Sequence, residues 1–266
     1  MELVDILGFV GAIGIGIVLG LIGGGGSILT VPILVYALAL NPVLATAYSL
    51  FVVGSTSLVG ALKNMSKGMV DYKTAIIFSI PAFIAVYLTR AYLIPFIPEN
   101  IAEVSGFVVT KNLAIMLFFA IIMLIAAISM IKSNKKVEEI DQPISYNYPL
   151  IVIEGVVVGT ITGIVGAGGG FLIIPALVVF AKLPMKKAVA TSLLIIAIKS
   201  LIGFLGDVQN LEIDLTFLLT FTAFSIAGIF LGIWLNKFID GKKLKKGFGW
   251  FVLIMGIYII YKETMA

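Results

Sequence analysis

The residues best able to do chemistry lie in two glycine clusters, Gly23–Gly24–Gly25–Gly26 followed by Ser27, and Gly166–Ala167–Gly168–Gly169–Gly170. Glycine runs break helices. A short apolar segment with a proline follows each run, 27–40 with Pro32 and 170–181 with Pro175. A helix that starts afresh after such a break presents N–H groups without intrahelical partners and roughly +0.5 of a charge at its N-terminus. Two such ends facing one cavity make a site for a small anion, and glycine lets the ligand reach the backbone. Close helix packing is the other use of small residues, but a symmetric pair of runs, each ahead of a short helix and a proline, favours the site. Its candidate residues are Gly24, Gly25, Gly26 and Ser27 with Gly168, Gly169 and Gly170. The lysine and spacing of a nucleotide P-loop are missing.

Lys199 is the second signal. It interrupts the apolar stretch ATSLLIIAIKSLIGFLG, and a charge at mid-helix costs ~2.5–3.5 kcal/mol even on a lenient insertion scale. It is expected to face a polar cavity or a partner; snorkelling to an interface is awkward seven residues from the nearer helix end. Ser192 precedes Lys199 by seven residues, two turns along one face, with Thr191 beside it, and Ser49 and Thr56 repeat that spacing in the first half. A cation opposite two helix N-termini attracts an anion, and Ser49, Thr191 and Ser192 would add hydroxyl donors. Asp71 and Asp214 stand where helix N-caps are expected.

The elements that must position these residues are membrane helices. Of 266 residues, 61% are hydrophobic and 12% charged, where a soluble domain carries about 25% charged residues. Cysteine and histidine are absent, which removes thiolate chemistry, the commonest general base and the commonest metal ligand. Ten apolar segments are predicted, at 4–22, 27–40, 43–62, 74–95, 110–131, 149–165, 170–181, 187–206, 214–236 and 247–261. Segments 27–40 and 170–181 fall short of the ~20 residues a full span requires, so each pair reads as a helix, a break and a short returning helix, crossing fully or re-entrant. The acidic start Met-Glu-Leu-Val-Asp lacks the basic region of a signal peptide, and the first segment is expected to stay in the mature protein.

The halves are copies. Shifting residues 16–71 by 143 positions onto 159–214 gives 19 identities in 56 positions, among them Gly23/Gly166, Gly25/Gly168, Gly26/Gly169, Pro32/Pro175, Ser49/Ser192, Gly60/Gly203 and Asp71/Asp214. If 4–40 and 149–181 each return to their starting side, fourteen lysines share one face against Arg90, Lys111 and Lys262 on the other, a strong positive-inside bias. Five segments per half then invert the second copy. The expectation is an all-α polytopic membrane protein of two inverted repeats, 1–131 and 149–266, joined by a cytoplasmic linker 132–148, with both termini outside the cell membrane.

GLIGGGGSILTVPIL with ATAYSLF, and GIVGAGGGFLIIPAL with AVATSLL, resemble the sulfite exporter TauE/SafE family over residues 5–262. The resemblance implies a membrane carrier of small sulfur-containing anions, such as sulfite and sulfonates, driven by an ion gradient. The family's motif glycines fall on Gly23, Gly25, Gly26, Gly166, Gly168 and Gly169, and its Thr-Ser-Leu element on Thr191, Ser192 and Leu193; Tyr48 replaces the threonine in the first half. The resemblance assigns no role to Lys199. The expected function is alternating-access transport of sulfite, a related sulfur oxyanion or an organosulfonate, in the lipid bilayer, coupled to a proton or sodium ion, with no cofactor, no metal and no nucleic-acid partner. An anion channel using the same site is the alternative. An intramembrane enzyme lacks a nucleophile–base pair and a ligand cluster.

Overall fold

The computed structural model describes residues 3–104, 107–132, 148–179, 181–236, 238 and 241–265. Ten helical segments follow one another among them: α1 (Leu3–Ile22), α2 (24–37), α3 (Pro42–Met65), α4 (Tyr72–Phe96), α5 (Lys111–Lys132), α6 (Tyr148–Val165), α7 (Gly170–Val179), α8 (Met185–Val208), α9 (Leu215–Leu235) and α10 (Gly241–Met265). Six spans, in α3, α4, α5, α8, α9 and α10, are long and apolar enough to cross a membrane. The chain is a polytopic all-helical membrane protein. The expected linker 132–148 falls almost wholly outside the described residues.

Helices α3 and α8 are the most enclosed of these spans and pack on each other at the centre. Outer helices turn apolar stripes outward: Ile76, Ile80, Ile84 and Leu88 repeat every fourth residue along α4 and are all exposed, the pattern of a helix face that meets lipid. Small residues set the helix contacts. Gly16 and Gly20 of α1 meet Gly228 and Gly232 of α9, while Gly155, Gly159 and Gly163 of α6 meet Pro81, Ala82 and Thr89 of α4. With no hydrophobic drive between helices in lipid, backbones brought this close gain their stability from van der Waals contact.

These contacts recur with the halves exchanged. A β-carbon on Gly60 would lie 2.8 Å from Ile229 Cδ1, and one on Gly203 would lie 2.9 Å from Val86 Cγ2; each residue of the second contact stands 143 positions from one of the first. Asp71 N–H donates to Thr191 Oγ1 (2.9 Å) and Asp214 N–H to Tyr48 Oη (2.8 Å). Both aspartates are N-caps, Asp71 accepting from Thr74 N–H (2.8 Å) and Asp214 from Phe217 N–H (3.0 Å). Asp71→Ala or Asp214→Ala should each lower stability by about 1 kcal/mol, seen as an earlier thermal unfolding in detergent, while Asn at either site should restore most of it.

Three features depart from the sequence reading. Helix α2 begins within the glycine run, as a 3-10 turn Gly24–Leu29, and ends in a π-turn Ile33–Ala37; within the first of these Ser27 Oγ donates to Gly24 O (2.8 Å). The break in the first half is therefore Gly23 alone, at φ +75°. Both returning helices also close through a non-glycine left-handed residue, Ala39 at φ 52° and Lys182 at φ 51°. The 6→1 bonds Leu40 N–H to Leu34 O and Leu183 N–H to Leu177 O lie at equivalent positions. Finally, an antiparallel hairpin, β1 (Asn100–Val104) and β2 (Phe107–Thr110), joins α4 to α5.

Candidate functional site

The two glycine breaks meet. Each half threads its break between the paired central helices and the returning helix of the other half. Thr46 of α3 packs on Gly166, and Val189, its equivalent on α8, packs on Gly23. At the centre Gly24 and Gly170 touch through their backbones: a β-carbon on Gly170 would fall on the Cα, carbonyl carbon and oxygen of Gly24. Ser27 Oγ, besides bonding Gly24 O, reaches Ala167 O of the opposite break at 3.4 Å. Ser27 and residues 166–170 are buried. Positive φ at Gly166 (71°) and Gly169 (71°) makes the second break sharp enough for α7 to start at Gly170.

Lys199 lies against this junction. A β-carbon on Gly169 would sit 3.5 Å from Lys199 Nζ. Its ammonium donates to Thr162 Oγ1 at 2.7 Å, and Thr162 in turn donates to Gly159 O at 3.3 Å. The lysine is completely buried. Lys199 takes no part in the ion pairs Arg90–Asp207 and Lys111–Glu99, and among the described residues no carboxylate balances it. Thr162 escaped the sequence reading because a threonine in an apolar helix usually bonds its own backbone; only the buried lysine singles it out.

The other candidate residues line two faces of the central helices. Val189, Ser192, Ile196 and Lys199 follow one face of α8, with Val189 at Gly23 and Ile196 at Gly24. Ser49 lies on the corresponding face of α3, one turn before Val53, which packs on Gly168. Ser49 Oγ is buried without a hydrogen-bond partner among the described residues. Two expected donors serve the fold itself. Ser192 Oγ donates to Val189 O (2.8 Å), and Thr191 Oγ1 accepts the Asp71 N–H. Of the backbone N–H groups, Gly26 donates to Gly23 O (3.3 Å) and Gly169 to Ala167 O, so both help to close their own turns. Gly25 lies within the 3-10 turn beside Gly24. No cluster of three metal-ligating side chains occurs among the described residues.

Two adjoining cavities of about 500 and 540 Å³ open at the end of the bundle where α3 begins and α8 ends. Leu44 and Glu212 line both.

The profile of the family described as Sulfite exporter TauE/SafE matches residues 7–259. A probable membrane transporter protein of Xylella fastidiosa (strain 9a5c) is 27% identical over 254 residues, 94% of this chain and 92% of the relative. The probable membrane transporter protein YunE of Bacillus subtilis is 27% identical over 270 residues, 94% and 95% of the two chains. No solved structure matches. A helical bundle with glycine breaks meeting at its centre and a family match over nearly the whole chain lead to one conclusion: this is a multi-pass membrane transporter that belongs to the sulfite exporter TauE/SafE family.

Proposed function

We propose that the chain is a secondary carrier of a small anion, sulfite, a related sulfur oxyanion or an organosulfonate, and that the anion binds where the two glycine breaks meet. The observation that carries this reading is Lys199, buried against the second break with no carboxylate beside it among the described residues. Its ammonium and the positive N-terminal end of α7 raise the potential in the same small volume, and in a low-dielectric interior an anion is the group that relieves it. Hydroxyls of Ser27 and Ser49 stand within the same junction or on the helix face beside it.

Alternating access rests on three supports. The contacts that recur with the halves exchanged support a two-fold relation between them. The fourteen-to-three distribution of basic residues along the sequence favours an axis in the membrane plane, hence inverted halves with both termini outside. A buried, backbone-to-backbone junction suits an occluded carrier better than an open channel. Rocking one half against the other would expose the site to each face in turn, coupled to a proton or sodium ion.

The direct test is uptake of labelled sulfite into proteoliposomes, with sulfate, acetate, taurine and sulfoacetate as competitors. Saturable uptake, blocked by a subset of these anions, is the expected result. Non-saturating flux with a measurable single-channel current would favour the channel. No uptake under any imposed proton or sodium gradient would sink the sulfite reading.

A further inference from the structure

Arg90, the single arginine of the chain, is fully buried and lines the 540 Å³ cavity at the end of the bundle. It sits on a π-turn of α4, Thr89–Leu93, a distortion frequent at functional positions. Gly206 of α8 lets that turn approach, since a β-carbon there would lie 3.0 Å from Arg90 Cβ. The guanidinium is underused. Its Nε lies 3.4 Å from Asp207 Oδ2, yet none of its three nitrogens has a hydrogen-bond partner among the described residues. A buried guanidinium normally satisfies its fork of donors. Here Nη1 and Nη2 are left over.

Nor does the shared scaffold require this pair. At the positions equivalent to Arg90 and Asp207, 143 residues away, the chain carries Ile233 and Asn64. The cavity is lined by two cations and three carboxylates, and their burial decides how strongly each acts. Of the charged groups lining the cavity, Arg90, Lys111 and Asp207 are buried. Glu99, the partner of Lys111, and Glu212 are exposed, where water and salt screen them. The buried groups alone sum to one positive charge.

We propose that Arg90 is the anchoring group of a second anion site in this cavity, one that takes a sulfonate or carboxylate headgroup through Nη1 and Nη2, with Asp207, on the Nε side, as a like charge that opposes the ligand. Two oxygens of such a headgroup match the two terminal nitrogens of a guanidinium. Along α8, Asp207 lies eight residues from Lys199, about 12 Å at 1.5 Å per residue, so the cavity is a waiting station on the way to the glycine junction. That route rests on the carrier reading above; binding at Arg90 does not.

A chain with one arginine allows a direct measurement. The purified protein in detergent is treated with phenylglyoxal, and modification of Arg90 is followed by peptide mass spectrometry at constant ionic strength, with methanesulfonate, acetate or chloride present. Arg90 is fully buried, so labelling in chloride should be slow and should reach the guanidinium by way of the cavity it lines; methanesulfonate or acetate should slow it about tenfold further at about ten times its Kd, because only the unoccupied fraction reacts. Asp207→Asn, which removes this opposing charge at constant size, should lower the protecting concentration about tenfold. Absence of labelling, protection equal to that by chloride, or Asp207→Asn leaving the protecting concentration unchanged or higher would each overturn the site. Lys199→Met should leave protection intact. Failure of sulfite transport with intact protection would count against the carrier reading alone, and loss of protection with intact transport against this site alone.

Discussion

Gly170→Ala should reduce anion flux about a hundredfold, the scale of loss when reacting or binding groups are displaced by about an ångström. The added methyl has no flexible neighbour to push aside, because it would land on the Gly24 backbone. Overpacking against side chains costs about 1–3 kcal/mol, and against backbone the two breaks themselves must separate. That moves the junction where Ser27 and Ala167 meet away from Lys199. The expected readout is a lower unfolding temperature together with lost uptake of labelled sulfite. Gly14→Ala is the control, since nothing lies within 4 Å of a β-carbon there, and in mid-helix it should stabilise by about 0.5–1 kcal/mol. Near-normal flux in Gly170→Ala would mean that the breaks do not form the binding site.

The second large effect has opposite signs on stability and function. Lys199→Met removes a buried charge that no carboxylate balances and keeps the side-chain length. Unfolding without anion should become harder by about 2 kcal/mol, less than the cost of a mid-helix charge because Thr162 loses its donor. In wild type, sulfite should raise the unfolding temperature with concentration, as any ligand of the folded state does. In Lys199→Met that rise should vanish and flux should fall by at least about tenfold, the loss of one charge-assisted hydrogen bond. Unchanged transport kinetics would remove Lys199 from the site, whatever happened to stability.

Much of this was legible because membrane helices advertise themselves. Ten apolar segments became ten helices, and the glycine runs marked both breaks, since few other sequence signals interrupt an apolar stretch at bilayer depth. Lys199 stood out for the same reason: a charge in such a stretch must have somewhere to go. What the sequence hid depended on distance. Nothing in GTITGIVG distinguishes Thr162 until the lysine, 37 residues on, is brought to it. Arg90 read as one of three basic residues on a lysine-poor face, because its partner Asp207 lies on another helix. The β1–β2 hairpin was lost between two strong helix signals, although Ile101, Val104, Val108, Val109 and Thr110 are the β-branched residues that strands favour. The 3-10 start of α2 lies inside the glycine run, where no side chain before Ser27 marks the kind of turn.

Contacts that recur with the halves exchanged define an isologous interface, the kind a homodimer makes with itself. Were each half a separate chain, every substitution at the junction would appear twice. A lysine at position 199 would then bring a second one at the place of Thr56, and two like charges would enter one buried core. Joining the halves in one polypeptide lifts that constraint. Thr56 instead donates to Ser225 Oγ at 3.0 Å, Tyr48 takes the place that Thr191 has in the other half, and the Arg90–Asp207 pair has no counterpart in Ile233 and Asn64. Covalent fusion thus lets one half specialise in charge while the other keeps the packing, so the centre carries a single ammonium.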